Sequence, residues 1–412
     1  MRVIISTGQG RLHLIESAKA IKNAGADLKV ITGWVPSMII PDFVLDTFGK
    51  IVGSKNTAFG LRKRKPLDFT QKEINKCTLS EFLFHFFLLL SNVKIITKNS
   101  ATRWGWTFFG WQSKKYIRNA DIFHCRSGAG HGGAIDQARR LGMKIVIDQS
   151  AAHPDLFNSQ LIKANSFISN TFDVKPLSDL WVLVKNDCNK ADVLLVNSEF
   201  VKQSFIDNGY DESKIFVCRL GVRTDFIGLK NNYKSGPVLK ILFTGTFSIG
   251  KGCLVIIDSI LQLIKLNIEF QVDIIGSIPD IKILPDWFVN DQRVVLHGHI
   301  PQDELLQYLK FSDIYIFPSY CEGSAQSLNE AMAAGLPVIA TIQSGAPIIH
   351  ELNGLIIRDG NADDLTNSII KLSIAENLRE ILGTNAKKII QESSTWSHYG
   401  QSLFNFYEKL VS

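Results

Sequence analysis

The chain has 412 residues, which at about 100–200 residues per domain indicates two or three domains. Hydrophobic residues make up 45% and charged residues 20%, which excludes a largely disordered protein, and six cysteines without a Cys-x-x-Cys pair exclude a disulfide scaffold. Residues 1–225 hold 31 Lys and Arg against 20 Asp and Glu, whereas residues 226–412 hold 14 against 19, so a basic half precedes an acidic half. We expect the thiols to be small buried hydrophobic groups in a reducing compartment.

The start of the chain has the pattern of a βαβ unit. A short apolar strand is predicted at 2–6, a turn at Gly8-Gln-Gly10, a helix from about 12 to 24 and a second strand at 28–32. Further short strands are predicted at 121–124, 144–148 and 193–197. Strands that are nearly all apolar are typical of a parallel sheet covered on both faces.

The alternation of strands and helices restarts after a segment rich in Lys, Asn, Gly, Ser and Pro at 230–237, which we interpret as an interdomain linker. Strands are predicted at 239–244, 271–275, 294–297, 314–318 and 338–341. Helices are predicted at 252–265, 302–310, 326–334, 363–374 and 376–391. In the first of these helices, Leu254, Ile257, Leu261 and Ile264 fall on one face. The sequence therefore predicts an α/β fold with two doubly wound, Rossmann-like halves.

The basic half also holds the most apolar run, 82–93, with no charge between Glu81 and Lys94. Its 12 residues are fewer than the roughly 18–20 that span a membrane. The N-terminus does not have the pattern of a signal peptide. Together with Arg62-Lys-Arg-Lys65, the run predicts a peripheral contact with an anionic membrane surface, and the alternative is a buried core helix beside a solvated loop.

A glycine-rich loop, Gly245-Thr-Phe-Ser-Ile-Gly-Lys251-Gly252, joins a predicted strand to a predicted helix. This arrangement aims backbone N–H groups and the positive helix end at an anion, and Lys251 adds a cation, so a diphosphate suits the loop. It is not a Walker A loop, because Gly252 stands where Ser or Thr is required. The alternative is a turn that only reverses the chain.

Two carboxylates eight residues apart, Glu322 and Glu330, follow the strand predicted at 314–318. Carboxylates at this spacing can each accept two hydrogen bonds from the hydroxyls of a sugar and a ribose. The alternative is structural, because Ser327-Leu-Asn-Glu330 fits a capping box.

The segments around these residues resemble the retaining glycosyltransferases of family 4, which have the GT-B architecture and a Glu-x7-Glu motif. The resemblance rests on these segments: Asn197-Ser-Glu-Phe200, Arg219-Leu-Gly-Val222, Gly245 to Gly252, Gly298-His-Ile300, Pro318-Ser319, Glu322-Gly323, Glu330-Ala-Met-Ala-Ala-Gly-Leu-Pro-Val-Ile-Ala-Thr341, Ser344-Gly-Ala346 and Asn353-Gly-Leu355. It covers 190–400 and, weakly, the N-terminal βαβ unit. It implies an acceptor-binding domain at 1–229 and a nucleotide-sugar-binding domain at 230–395, which face each other across a cleft. It also implies a C-terminal helix in 396–412 that packs back on the first domain.

The resemblance also implies roles for individual residues. Lys251 contacts the donor diphosphate and Glu330 binds the ribose hydroxyls. Glu322, with the backbone of residues Gly323, Ser324 and Ala325, lies against the donor sugar as a catalytic residue. Ile300 faces the nucleobase through its backbone, and Gly8 and Gly10 let the N-terminal loop approach the donor phosphate.

The chain departs from the family at two places. Thr246 stands where an Arg is common, so the second phosphate charge is missing or comes from elsewhere, with Arg219 as a candidate. Asp148 ends the strand where many members have a His, and we expect it to face the transferred sugar as a second catalytic residue, the alternative being a helix cap. His124 and Arg126 are further candidates at a strand end, with a satisfied structural His as the alternative for His124.

We predict that this enzyme needs no metal and no cofactor, with the nucleotide-sugar as co-substrate. The sequence lacks the Asp-x-Asp triad of the GT-A fold, and His131 and His153 have no partners at metal-ligand spacing. The expected acceptor is a saccharide or lipid-linked saccharide in surface polysaccharide or glycolipid synthesis. We expect the protein in the cytoplasm, with a peripheral position on the inner face of the plasma membrane.

Three other functions remain open on the residues alone. The first is a non-catalytic GT-B subunit that binds a sugar or nucleotide. The second is a dinucleotide oxidoreductase, but Gly-x-Gly-x-x-Gly is not completed because position 13 is His. The third is a nucleic-acid binder, which the dispersed basic residues disfavour.

Overall fold

The computed structural model describes residues 1–9, 13–36, 40–51, 64, 68–165, 178–279 and 281–412. Gly10 and the basic run 62–65, apart from Arg64, lie outside the described residues.

A parallel sheet forms the frame of the N-terminal part. Its strands are β1 (Arg2–Ser6), β2 (Asp27–Thr32), β3 (Ile74–Lys76), β4 (Ile122–Arg126), β5 (Lys144–Gln149), β6 (Val193–Val196) and β7 (Ile215–Val217). Among the described residues they pair in the order β3-β2-β1-β4-β5-β6-β7. The helices are α1 (Leu14–Asn23), α2 (Asp42–Ile51), α3 (Thr78–Asn92), α4 (Lys98–Ser113), α5 (Ala134–Arg140), α6 (Pro154–Asn165), α7 (Asp179–Asn189) and α8 (Glu199–Ile206).

A second parallel sheet forms the frame of the C-terminal part. Its strands are β8 (Leu239–Thr244), β9 (Phe270–Ile275), β10 (Val294–Gly298), β11 (Ile314–Phe317), β12 (Val338–Thr341) and β13 (Leu355–Ile357). In the part of the chain that the structure describes, they pair in the order β10-β9-β8-β11-β12-β13. The helices that follow are α9 (Cys253–Lys265), α10 (Asp286–Asn290), α11 (Gln302–Phe311), α12 (Gln326–Ala334), α13 (Ala362–Ile374), α14 (Glu376–Ser393) and α15 (Trp396–Val411).

The predicted doubly wound α/β architecture is confirmed in both parts, and the predicted strands and helices lie within two residues of their observed ends. Strands β3, β7 and β13 were not predicted, because three residues are too few to show an apolar pattern. No secondary structure was predicted for 35–120, where two consecutive long helices, α3 and α4, pack on each other.

The buried residues of α9 only partly match the predicted face. Of that face, Ile257 is buried, whereas Leu254, Leu261 and Ile264 are only partly buried. Ile256, Ile260 and Leu263 are 0–2% exposed, and α9 packs on α13. All six cysteines are buried and free, as predicted. Within the described residues, no helix has both the length and the apolar character that crossing a membrane requires.

The last helix, α15, belongs spatially to the N-terminal part. It packs along α1, where a β-carbon added at Gly400 would lie 2.3 Å from the Ala20 carbonyl oxygen. Leu403 and Tyr407 are fully buried in the same core as strands β1 and β2.

In each sheet the strand order reverses direction at one point, between β1 and β4 in the first and between β8 and β11 in the second. Open α/β sheets bind ligands at the carboxyl ends of the strands that flank such a switch point. The loop after Ser6 and the end of β4 mark the first switch point, and the loop after Thr244 and the loop after Phe317 mark the second.

Candidate functional site

The glycine-rich loop after β8 has the geometry of an anion site at the start of α9. Gly245 and Gly252 have φ of 131° and 79°, in the region that favours glycine, and Ile249–Lys251 forms a single 3₁₀ turn. A β-carbon on Gly252 would lie 2.1 Å from the Pro318 carbonyl oxygen. Only glycine therefore allows this loop to lie so close to the loop that follows β11.

Lys251 and Glu322 meet across these two loops. The Lys251 Nζ lies 2.7 Å from Glu322 Oε1, and their side chains are 26% and 23% exposed. The ammonium also lies 5.1 Å from the centre of the Phe317 ring. A partly exposed cation beside a helix N-terminus can exchange a carboxylate partner for a phosphate oxygen.

The segment from Glu322 to Ala325 is held by its backbone. The Glu322 N–H donates to the Gln343 carbonyl at 2.8 Å, and the Ala325 N–H donates to the Ser344 carbonyl at 2.9 Å. Because these two amides are engaged, a ligand here would meet the Glu322 carboxylate and the amides of Gly323 and Ser324, and not the Ala325 amide.

Gly323 brings the two parts of the molecule into contact. The Ser198 Oγ donates to the Gly323 carbonyl at 2.5 Å. A β-carbon on Gly323 would lie 1.6 Å from the Ser150 carbonyl oxygen. Leu161 of α6 also approaches Gly250, at 3.1 Å from a β-carbon placed there. The carboxyl edges of the two sheets therefore face each other around the Lys251–Glu322 pair.

Glu330 lies in the second turn of α12. The capping-box interpretation is wrong, because α12 begins at Gln326 with Ala325 as its N-cap, so Ser327 is inside the helix. Burial raises the pKa of Glu330 to about 7, Arg223 opposes this shift and Asp225 adds to it. Arg223, whose guanidinium binds Asp225 and Gln302, was not identified from the sequence.

The ends of β8, β9 and β10 meet in a glycine-lined edge beside the loop. A β-carbon on Gly276 would lie 2.0 Å from the Gly245 carbonyl oxygen, and the Gly276 N–H donates to the Gly298 carbonyl at 2.7 Å. The Ser277 Oγ donates to Thr246 Oγ1 at 3.1 Å. Ile300 follows this edge and packs on the C-terminal core. Gly276 and Ser277 were missed, although a glycine directly after a predicted strand was the available signal.

On the N-terminal side, Gly8 and Arg126 share one aromatic ring. A β-carbon on Gly8, whose φ is 74°, would lie 2.6 Å from the Trp106 ring, and the Arg126 guanidinium lies 4.8 Å from the centre of that ring. Burial lowers the pKa of Arg126 to about 10, opposed by the charge of Asp148. Arg126 therefore supplies a cation next to the Gly8 loop, at the first switch point.

Asp148 lies in a buried chain of hydrogen-bonding groups. Its Oδ1 is 3.1 Å from His13 Nε2 and its Oδ2 is 3.4 Å from His124 Nε2. His124 Nδ1 is 2.8 Å from the Tyr407 hydroxyl of α15. Burial alone would raise the pKa of Asp148, but the charges of His13 and His124 and their hydrogen bonds outweigh it and hold that pKa well below its usual range.

Their burial and hydrogen bonds bear on the roles predicted for Asp148 and His124. The Asp148 side chain is 6% exposed and both of its oxygens are engaged, so the 14% exposed His13 is the more accessible member of the pair. His124 is fully buried and bonded through both ring nitrogens, which matches the structural alternative.

Arg219 is paired outside the glycine-rich loop. Its Nη2 is 3.6 Å from Glu199 Oε1, and it lines a cavity of about 400 Å³ with apolar residues such as Ile348 and Ile356. No residue of the loop 245–252 lines this cavity. Among the described residues, no group of three or more His, Cys, Asp or Glu side chains is placed to hold a metal ion.

Residues 239–374, which include the loop, Lys251, Glu322 and Glu330, match the family model described as Glycosyl transferases group 1. An uncharacterized glycosyltransferase of Methanocaldococcus jannaschii is 28% identical over 236 residues, which are 54% of this chain and 60% of that protein. The amylovoran biosynthesis glycosyltransferase AmsK of Erwinia amylovora is 31% identical over 197 residues, which are 45% and 48% of the two chains. The chain thus spans about half to three fifths of the length of these relatives.

Among solved structures, HepE of Anabaena in complex with UDP and glucose is similar over 99% of both chains, with a TM-score of 0.64 and 16% identity. This similarity establishes the fold. The chain has the predicted GT-B architecture of two Rossmann-like domains.

Proposed function

We propose that the chain is a retaining glycosyltransferase that moves a sugar from a nucleotide-sugar to a saccharide or lipid-linked saccharide acceptor, in surface polysaccharide or glycolipid synthesis. The observation that carries the proposal is the Lys251–Glu322 pair, at 2.7 Å, in the loops of the second switch point. The match of 239–374 to the group 1 glycosyltransferases and the similarity to AmsK, an amylovoran biosynthesis glycosyltransferase, support it.

The donor would lie along the glycine-lined edge of the C-terminal sheet. Lys251 and the N-terminus of α9 would bind the diphosphate, which gains negative charge as its bond to the anomeric carbon breaks. The Glu330 carboxylate would accept hydrogen bonds from the ribose hydroxyls. Ile300 would meet the nucleobase through its backbone, and Gly276, which lets the Gly245 backbone pack closely against it, lies beside that path.

The transferred sugar would lie against Glu322 and the amides of Gly323 and Ser324. From the other side, the Gly8 loop and the Arg126 cation would approach the phosphate, since both lie at the first switch point. Asp148 would act by holding His13 toward the cleft. We infer that His13, not Asp148, meets the sugar or the acceptor.

The proposal includes a metal-independent reaction. Lys251 and the helix N-terminus would provide the positive charge that a metal ion provides elsewhere. Because the expected charge stabilisation comes from fixed groups of the protein, activity should not depend on an added divalent cation.

The test begins with a thermal-shift screen against UDP-, GDP- and ADP-sugars, with UDP-sugars first because HepE, a protein of the same fold, binds UDP. A ligand that binds only the folded state raises the melting temperature. The responding donor is then incubated with saccharide acceptors, and NMR of the product gives the anomeric configuration. An α-linked product from an α-linked donor is expected.

An inverted linkage would overturn the retaining mechanism, and no shift with any nucleotide-sugar would overturn the donor site. A donor shift without transfer or donor hydrolysis would favour the alternative, a non-catalytic subunit that binds a sugar nucleotide.

A further inference from the structure

Helix α3 carries a row of exposed apolar side chains. Leu79, Phe82, Phe86, Leu89 and Val93 are 54%, 63%, 51%, 63% and 65% exposed. Their spacing of three, four, three and four residues places them on one face of the helix. We call this row the apolar row of α3.

The apolar row points away from the rest of the molecule. Helix α3 packs on α4 through its opposite side, where a β-carbon added at Gly105 would lie 2.3 Å from Phe84. The run 82–93 is therefore not the buried core helix that was the alternative prediction. Each member of the row remains more than half exposed, so the described residues leave this face uncovered.

The hairpin that carries the apolar row is strongly basic. The hairpin of α3 and α4 and its continuation to residue 118 carry these cations: Lys94, Lys98, Arg103, Lys114, Lys115 and Arg118. Its one acidic residue, Glu81, is buried and paired with Arg64. Trp104 and Trp111, 41% and 53% exposed and seven residues apart, add an aromatic face on α4.

We propose that the apolar row of α3 docks onto an anionic lipid bilayer, with the cations of the hairpin contacting the lipid headgroups. A helix with an apolar face, flanking cations and exposed Trp residues has the properties of a segment that lies in the membrane interface. A second copy of the chain fits this face less well, because two copies would bring the same cations together without acidic residues to neutralise them.

The docking surface differs from the one predicted from the sequence. Arg64, the described member of the basic run 62–65, is engaged with Glu81 and the Trp34 carbonyl. The cations available to lipid lie instead at Lys94, Lys98 and residues 115–118, on the hairpin itself.

The hairpin is joined directly to the candidate site. Gln9, next to Gly8, donates from Nε2 to the Gly105 carbonyl at 2.6 Å, and Trp106 packs against Gly8. A hairpin docked on a bilayer would thus hold the cleft beside the membrane surface. This step rests on the proposed function and selects a lipid-linked acceptor over a soluble saccharide, whereas the docking itself does not depend on it.

The test is co-sedimentation with vesicles of phosphatidylcholine alone or mixed with phosphatidylglycerol, at low and high salt. Binding to the mixed vesicles that weakens in high salt is expected, since salt screens such contacts within about 8–10 Å. The triple variant Phe82→Ser, Phe86→Ser, Leu89→Ser should lose more than about tenfold in partitioning. The matched control is Phe311→Ser, Ile342→Ser, Ile374→Ser, which removes three apolar side chains that are also more than half exposed, from the C-terminal part, and should bind normally.

A second set of variants tests the cations. Lys94→Asn, Lys98→Gln and Arg118→Gln should each reduce binding about fivefold. Asn is used at position 94 because Lys94 has φ of 61°, which Asn tolerates. Lys214→Gln, Lys265→Gln and Lys310→Gln, at exposed lysines elsewhere, should leave binding unchanged.

Equal binding to both lipids, or no binding at low salt, would overturn the proposal. So would an oligomer in analytical ultracentrifugation that the Phe82, Phe86, Leu89 triple variant disrupts, because the row would then be an interface between copies. The nucleotide-sugar thermal shift is measured on the same variants. Loss of vesicle binding with an unchanged thermal shift would contradict membrane docking alone. Loss of the thermal shift with unchanged vesicle binding would contradict the proposed donor site alone.

Discussion

The two sides of the cleft use charge in opposite ways. On the C-terminal side, Lys251 and Glu322 form one pair whose side chains remain about a quarter exposed. On the N-terminal side, Asp148 is 6% exposed and bound to His13 and to the fully buried His124. An exposed pair can exchange partners with a ligand, whereas a buried chain of hydrogen bonds costs free energy to open. The first arrangement suits binding and the second suits holding a fixed geometry.

The largest expected effect is on stability at the buried side. Asp148→Asn should lower the free energy of unfolding by about 3–5 kcal/mol, because it removes the charge that both histidines contact in a buried place. Urea denaturation measures this change. Asp207→Asn, at an exposed Asp that accepts a hydrogen bond from Gln203, is the control and should change it by less than about 0.5 kcal/mol. Equal losses in the two variants would contradict a special role of the buried chain.

The same variant should change the response to acid. The folded pKa of Asp148 lies below its unfolded value of about 3.9, so its stabilisation is present above that value and is lost as pH falls through the folded pKa. The stability of Asp148→Asn should therefore fall less steeply in acid than that of the natural chain.

On the C-terminal side of the cleft, a substitution at Lys251 should change the affinity for the ligand and have little effect on the free energy of unfolding. Lys251→Ala should weaken nucleotide-sugar binding by about 1.5–3 kcal/mol, the range for hydrogen bonds to charged groups. The free energy of unfolding should change by about 1 kcal/mol or less, because the ion pair is partly exposed. Calorimetric titration gives the affinity, with Lys265→Ala at the far end of α9 as control. Unchanged donor affinity in Lys251→Ala would remove the diphosphate assignment.

A smaller effect is expected from Glu330, which lies between the two extremes of burial. Its pKa is raised to about 7, so it becomes ionised as pH rises through neutrality. Hydrogen bonds from hydroxyls to the ionised carboxylate are stronger, and donor affinity should rise about fivefold between about pH 6 and pH 8. Glu330→Gln should abolish this dependence. A nucleotide-sugar is the ligand to use, because its diphosphate has no ionisation in this range. An equal pH dependence in Glu330→Gln would contradict ribose binding by Glu330.

No effect is expected from chelation. Transfer measured in EDTA should equal transfer in buffer, because Lys251 and the N-terminus of α9 are proposed to carry the positive charge of the site. Loss of activity in EDTA, with recovery on adding Mg²⁺ or Mn²⁺, would show that a cation is needed beside these groups.

The two sides of the cleft also differ in how well they could be predicted from the sequence. Strands β8 and β12 were predicted to the residue, and the loop 245–252 was read correctly as a strand-to-helix turn, because their signals lie in contiguous residues. The chain of hydrogen bonds from His13 through Asp148 and His124 to Tyr407 includes a pair 283 positions apart, His124 and Tyr407, so no local pattern reveals it. Likewise, the pairing of Arg219 with Glu199 depends on how α8 follows β6, which spacing does not show.

The packing of α15 on α1 also has a consequence for the order of folding during synthesis. Domains near the N-terminus commonly fold first as the chain emerges from the ribosome. Here the first core receives Leu403 and Tyr407 from the last helix, and His124 lacks its hydroxyl partner until Tyr407 arrives. The C-terminal sheet, whose strands lie wholly between 239 and 357, can close earlier. The second domain is thus expected to reach its native core before the first is complete, and the N-terminal half should keep apolar surface exposed until the last helix docks.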